Sequence, residues 1–186
     1  MADDYQAWSV GLGHGFGELG SLGADYTSAA TRTPSGQRFR GNSARLQYQK
    51  SFSSTGTTLS LASYRYSSSR YYDFGEANAL EGRYGVSDNK RSREELSLSQ
   101  SLGDMGSLSA SAWTQTYWHS QGQDETVHVG FYSAWKGISW GVGYYFTQSS
   151  QSNKNDRSFS FNLNIPLGSQ LADSSVSYST TSDNNG

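Results

Sequence analysis

The stretch Ser158-Phe159-Ser160-Phe161-Asn162-Leu163-Asn164-Ile165-Pro166-Leu167 sets Phe159, Phe161, Leu163, Ile165 and Leu167 against Ser160, Asn162 and Asn164. A two-residue period puts one set of side chains on each face of an extended strand, whereas helical spacing would scatter the apolar groups around a cylinder. Pro166 has no amide hydrogen to donate, which suits a strand end better than a central position. The same period holds near the N-terminus, where Trp8, Val10, Leu12 and Phe16 oppose Ala7, Ser9, Gly11, Gly13 and Gly15. It returns at 138–148, where Ile138, Trp140, Val142, Tyr144 and Phe146 oppose Ser139, Gly141, Gly143, Tyr145 and Thr147.

Other segments alternate less cleanly. Their outward sets are Leu46 and Tyr48; Leu96, Leu98 and Leu102; Leu108, Ala110 and Ala112; and Val127, Val129, Phe131 and Trp135. In 57–67 Leu59 and Leu61 fall on one face and Tyr64 and Tyr66 on the other, so a bulge near Ala62 is expected to restore the register.

Reading Gly, Ser, Asp and Asn clusters as punctuation gives about ten strands of roughly ten residues. Their joints alternate. Tight ones fall at Gly17-Glu18-Leu19-Gly20, Ser54-Thr55-Gly56, Gly103-Asp104-Met105-Gly106, Lys136-Gly137 and Gly168-Ser169, and longer polar ones at 31–38, 69–91, 119–124 and 150–156. Short turns on one rim and long loops on the other are the plan of a bacterial outer-membrane β-barrel. The fold class expected is therefore all-β, an antiparallel up-and-down transmembrane β-barrel segment. Strands of about ten residues match a tilted crossing of hydrocarbon, while ordinary strands average nearer five or six. Phe16-Gly17-Glu18-Leu19-Gly20-Ser21-Leu22 also echoes Leu102-Gly103-Asp104-Met105-Gly106-Ser107-Leu108, read as one hairpin recipe used twice.

Composition agrees with this reading. The 186 residues include 21 Gly, 13 Tyr, 8 Phe and 5 Trp, with 34% hydrophobic and 16% charged residues. No stretch approaches the roughly eighteen apolar residues that a membrane-spanning helix needs. A formal charge of −2 without a basic stripe argues against nucleic acid as a partner. The absence of Cys removes disulfides, thiolate metal sites and a Cys nucleophile. Met1-Ala2-Asp3-Asp4 has neither the basic region nor the apolar core of a secretory signal, and a strand-like stretch begins at Ser174, so a fragment of a longer exported protein is expected.

Motifs with a chemical reading are few. Gly15-x-Gly17-x-x-Gly20 matches a dinucleotide fingerprint by letter, but that fingerprint needs a following helix, and here a strand follows. His119, Asp124, Glu125 and His128 would form an acid/base or metal group only if they converged, which their spacing does not dictate. No catalytic motif is present, so the chain is read as not an enzyme. The aromatic loop Arg70-Tyr71-Tyr72-Asp73-Phe74-Gly75-Glu76-Ala77-Asn78 is read as an interfacial girdle running into an external loop, with a specific binding site as the competing reading. Trp8, Trp118, Trp135, Trp140, Tyr66 and Tyr117 near strand ends extend that girdle.

The stretch 56–68, GTTLSLASYRYSS, followed by Tyr71-Tyr72-Asp73-Phe74, resembles the barrel of the fimbrial outer-membrane ushers. So do Leu102-Gly103-Asp104-Met105-Gly106-Ser107-Leu108 with Thr116-Tyr117-Trp118, and Trp135-Lys136-Gly137-Ile138-Ser139-Trp140 leading to Asn162-Leu163-Asn164-Ile165-Pro166-Leu167. The resemblance implies a role in the chaperone-usher pathway: a wide pore of the bacterial outer membrane that translocates and assembles pilus subunits delivered by periplasmic chaperones. Residues 1–186 would be part of one β-barrel pore domain, without the family's plug, N-terminal or C-terminal periplasmic domains. Ser9, Gly11, Gly13, Asp25, Arg45, Gln47, Glu95, Ser97, Ser99, Gly141, Gly143, Ser160, Asn162 and Asn164 would then line the pore, a small and polar surface that releases its cargo. Lipid would meet the other face, and no cofactor, nucleotide or metal is implied. The alternatives are a small ten-stranded outer-membrane barrel enzyme and a secreted β-rich binding protein.

Overall fold

A computed structural model of the chain describes residues 5–32, 36–66, 71–75, 89–118, 121–150, 155–167 and 175–184. The elements are β1 (Tyr5–Gly15), β2 (Ser21–Arg32), β3 (Arg38–Phe52), β4 (Thr57–Tyr66), β5 (Lys90–Ser101), β6 (Ser107–Tyr117), β7 (Gln123–Trp135), β8 (Ile138–Gln148), β9 (Asn155–Pro166) and β10 (Ser175–Asp183). They form one ten-stranded sheet in chain order, the all-β meander that the alternating joints predict. Two compact units divide the chain, the first built mainly on β1–β3 and the second mainly on β7–β10.

Antiparallel pairing makes directly opposed residues share a face. In the first unit Ser9, Gly11 and Gly13 oppose Thr27, Asp25 and Gly23, which in turn oppose Ser43, Arg45 and Gln47. In the second, Gly141 and Gly143 oppose Asn162 and Ser160, which oppose Ser179 and Thr181. One residue further along each strand, the rows become Trp8, Val10 and Leu12, or Val142, Phe161 and Thr180. The alternation in sequence is thus an alternation of faces, and the pairing never slips along these strands.

The repeated hairpin recipe is one geometry. Gly17–Leu19 and Gly103–Met105 each form a single 3₁₀ turn, closed by hydrogen bonds from Phe16 N to Gly20 O (2.7 Å) and from Leu102 N to Gly106 O (2.8 Å). Gly20 and Gly106 end those turns at φ 96° and 121°, where an L side chain is strained. A Cβ on Gly20 would also lie 2.5 Å from Gln49 O. Between β7 and β8, Lys136 and Gly137 take φ 50° and 83°, the double left-handed turn whose twist matches a two-residue hairpin. Pro166 closes β9 as expected. The joint at Gly168-Ser169 lies outside the described residues.

The expected bulge near Ala62 is absent. β4 is unbroken, and Thr57 Oγ1 to Gln100 Oε1 (2.5 Å) and Ser63 Oγ to Glu94 Oε1 (3.0 Å) keep one offset between β4 and β5. An inserted residue would change that offset between the two pairs. Tyr64 instead stays on the face of Arg45, whose guanidinium carbon is 5.7 Å from the ring centroid. The parity problem dissolves because these tyrosines belong to the polar face.

Among the described residues, Ala29 and Tyr71 are the buried apolar side chains. Among the described residues none covers the long apolar rows: Leu12 is 81% exposed, Phe159 63%, Trp8 59% and Leu46 51%. Burying such a side chain is worth about 1.5–3 kcal/mol in water, so a soluble sheet would hide these rows under a second layer.

Candidate functional site

Parity places fourteen predicted lining residues on the polar face of their strands. Eleven positions follow directly from the pairing: Ser9, Gly11, Gly13, Asp25, Arg45 and Gln47 share one face of β1–β3, and Gly141, Gly143, Ser160, Asn162 and Asn164 share one face of β8–β9. Glu95, Ser97 and Ser99 alternate with Leu96 and Leu98 on β5, and Arg93 Nε donates to Glu95 Oε1 from the same face at 2.5 Å.

In the first unit this face carries fixed charge. Arg45 Nε lies 3.2 Å from Asp25 Oδ2, close enough for an ion pair though not aligned as a hydrogen bond. Another guanidinium nitrogen of Arg45 donates to Gln47 Oε1, and its plane approaches Tyr64. A second group runs from Arg93 NH1 to Gln115 Oε1 (3.4 Å), from Gln115 Nε2 to the Tyr117 hydroxyl (2.7 Å), and from that hydroxyl to Asp124 Oδ2. Sequence reading missed this chain of contacts. Its signal was the shared parity of Arg93 and Glu95, and of Gln115 and Tyr117, on strands joined by a tight turn.

The aromatic loop behaves differently from the expected girdle. Tyr71 lies against Gly41 so closely that a Cβ there would stand 2.6 Å from the Tyr71 Cα and Cβ and 2.8 Å from its nitrogen. Gly41 opposes Ala29 on β2, so this contact falls on the polar face. Tyr66 meets the Tyr71 ring at 5.3 Å between centroids, Phe39 meets Tyr72 at 5.7 Å, and Tyr5 meets Phe74 at 5.6 Å. Two polar ties hold the segment: Asn89 Nδ2 donates to Tyr71 O, and Lys90 Nζ pairs with Asp73 Oδ2, both at 2.9 Å. Residues 71–74 are therefore folded onto the polar face at its long-loop end, where Ala29, Thr31, Tyr71 and Asn89 are buried. Arg70, Glu76, Ala77 and Asn78 lie outside the described residues. Tyr66 and Tyr117 leave the girdle too, since each makes its contacts on the polar face. Trp8, beside Tyr26 at 5.8 Å, and Trp140, beside Phe131 at 5.2 Å, stay on the apolar face.

In the second unit the polar face is mostly small and neutral. Asn164 Nδ2 donates to Ser177 Oγ (2.8 Å) and Ser175 Oγ (3.3 Å), and Ser160 stands beside Gly143. His128 stacks on Tyr145 with centroids 4.3 Å apart. Asp124 is engaged by Tyr117, and His119 lies outside the described residues. Among the described residues no group of three or more His, Asp or Glu side chains is placed to hold a metal ion.

Comparison with known proteins points one way. The family model described as outer membrane usher protein matches residues 1–186. The outer membrane usher protein FimD of Escherichia coli K12 is 31% identical, over all of this chain and 24% of its own length. The probable outer membrane usher protein LpfC' of Escherichia coli O157:H7 is 33% identical, over all of this chain and 38% of its own length. The chain thus spans about a quarter to two fifths of these relatives. Among solved structures, the translocation pore of the P pilus usher PapC superimposes with a TM-score of 0.61 at 24% identity, covering 99% of this chain and 37% of that one. A P pilus tip assembly intermediate of PapC, PapD, PapK and PapG gives 0.72 at 24% identity, covering 98% of this chain and 23% of that one. At this identity the structural likeness speaks for the fold, an all-β barrel-type meander.

Proposed function

The chain belongs to the outer membrane usher family, and from that premise we propose that residues 1–186 are part of the wall of a single pore domain through which chaperone-delivered pilus subunits cross the bacterial outer membrane. The apolar rows meet lipid and the polar face meets water and cargo. The single observation that carries this reading is the exposure of the apolar rows: Leu12, Phe159, Trp8 and Leu46 lie bare on a sheet whose other face is polar. Only a hydrocarbon solvent makes that arrangement favourable, and only with every second residue apolar.

The proposed lining suits a conduit. Small and neutral groups such as Gly141, Gly143, Ser160, Asn162 and Asn164 offer no large apolar patch on which a folded subunit would stick. The reading requires no catalytic step, no cofactor and no nucleic acid. Partners are the pilus subunits and the chaperones that bring them, engaged through the full-length protein.

Cross-linking in transit tests this. Cysteines replacing Ser160 or Asn162 in the full-length protein should be captured by a bifunctional reagent onto a subunit during pilus assembly, while cysteines replacing Phe159 or Phe161 should not. Equal capture from both faces, or capture from the apolar face alone, contradicts the reading.

A further inference from the structure

The apolar face of the first unit ends in four arginines that the transport reading does not use. Arg32 on β2 directly opposes Arg38 on β3, and Arg40 opposes Ala30 two pairs further in. By strand parity all three share the face of Tyr26, Ala44 and Leu46. Arg65 on β4 lies on that face as well, in one groove with those residues. All four are exposed. Among the described residues none of the four has an ion-pair or hydrogen-bond partner, in contrast to Arg45 and Arg93 on the polar face.

Like charges directly opposed across a strand pair are destabilising, so an anion shared by Arg32 and Arg38 would relieve their repulsion. No carboxylate stands on this face among the described residues of β1–β4. Glu94, next along on β5, already accepts from Ser63 Oγ at 3.0 Å. Further in along the strands, past the row of Trp8, Ser28 and Asn42, Val10, Leu12, Ala24, Tyr26, Ala44 and Leu46 line an open groove of about 490 Å³, with Ser63 and Arg65 beside them and the intervening Gly11, Asp25 and Arg45 also bordering it. The surface therefore has a hydrocarbon part and a cationic part in sequence along the strands.

We infer that this surface seats a bis-phosphorylated, multiply acylated glycolipid of the outer leaflet, with phosphates on Arg32, Arg38, Arg40 and Arg65 and an acyl chain along the groove. The inference rests on the reading of this face as lipid-facing. The arginines lie at the long-loop rim, which in such walls is the external one. Guanidinium forks match phosphate oxygens in bidentate geometry. Strands are spaced about 4.8 Å apart, so a row spread over three of them fits a headgroup with two separated phosphates better than one with a single phosphate.

The test uses the full-length protein, stripped of lipid in detergent, and titrates it with purified bis-phosphorylated lipid A, its monophosphoryl form, and phosphatidylglycerol. Native mass spectrometry counts bound lipid. The bis-phosphorylated form should bind tightest, and loss of one phosphate should weaken it roughly tenfold, the worth of a charge-assisted contact. The variant Arg32→Gln/Arg38→Gln/Arg40→Gln/Arg65→Gln should abolish that preference. Arg157→Gln should leave it intact, since Arg157 instead sits over the Phe146 ring. Heat-modifiable electrophoretic mobility confirms that each variant is folded. Equal binding of all three lipids, or an unchanged preference in the quadruple variant, overturns the inference and leaves these arginines as general interfacial anchors. A spin label at Leu46 separates the two levels: if oxygen does not reach it preferentially in a bilayer, the lipid-facing reading itself has failed.

Discussion

The polar faces of β1–β3 and of β8–β10 obey one rule of alternation yet carry different loads. On β1–β3 the face bears the Asp25–Arg45 pair and, at its long-loop end, the folded-on segment Tyr71–Phe74 over Gly41. On β8–β10 it carries Gly, Ser, Asn and Thr between Ser139 and Thr181, then Tyr145 stacked on His128, with charge among the described residues returning at the rim in Asp156 and Asp183. Parity decides which way a side chain faces; the neighbours gathered there decide what it does. One stretch of the sheet holds an attachment, and the other presents mainly hydroxyls, amides and bare backbone.

The largest predicted effect probes the rule common to both regions. Phe161→Arg would put a charge near the middle of the lipid-facing row of β9 and should cost about 2–4 kcal/mol in urea unfolding from lipid vesicles. Ser160→Arg, its immediate neighbour, should cost less than about 1 kcal/mol, because its side chain reaches water. Equal penalties would erase the distinction between faces.

A smaller effect separates the two regions. Gly41→Ala forces a Cβ into the Tyr71 backbone at 2.6 Å and should cost about 1–3 kcal/mol, as overpacking does. Gly13→Ala meets nothing nearer than Leu22 O at 3.9 Å and should be neutral to within about 0.5 kcal/mol. The pair is compared by the same unfolding assay. A silent Gly41→Ala would mean that Tyr71 does not rest on β3.

The smallest effect concerns charge. Asp25 and Arg45 side chains are 41% and 39% exposed, so solvent screens their pair. Asp25→Asn should lose only about 0.2–1 kcal/mol, and less in high salt. A loss above about 2 kcal/mol, independent of salt, would show instead a dry, tightly packed lining.

Much of this was legible in the chain. The strands, the alternation of joints, the repeated Gly17 and Gly103 turns and the terminal Pro166 all depend on local chemistry: strand parity, turn glycines and a missing amide. What escaped was non-local. Tyr64 and Tyr66 read as lipid-facing because aromatics so often are, and Arg45 across the strand pair was needed to place Tyr64 on the other side. Likewise, nothing near Tyr71 in sequence announces Gly41, thirty positions earlier. The arginine row emerges only when the register sets Arg32 opposite Arg38.

The most direct test of the account is a nitroxide scan along β9. The chain has no Cys, so a cysteine introduced at each position from Ser158 to Ile165 gives one label site within it. In the full-length protein in a bilayer, collisions with oxygen should peak at positions 159, 161, 163 and 165, and collisions with a water-soluble nickel chelate at 158, 160, 162 and 164. A two-residue period in that phase is the predicted result; a flat profile, or the opposite phase, would contradict a wall with lipid on one side and water on the other.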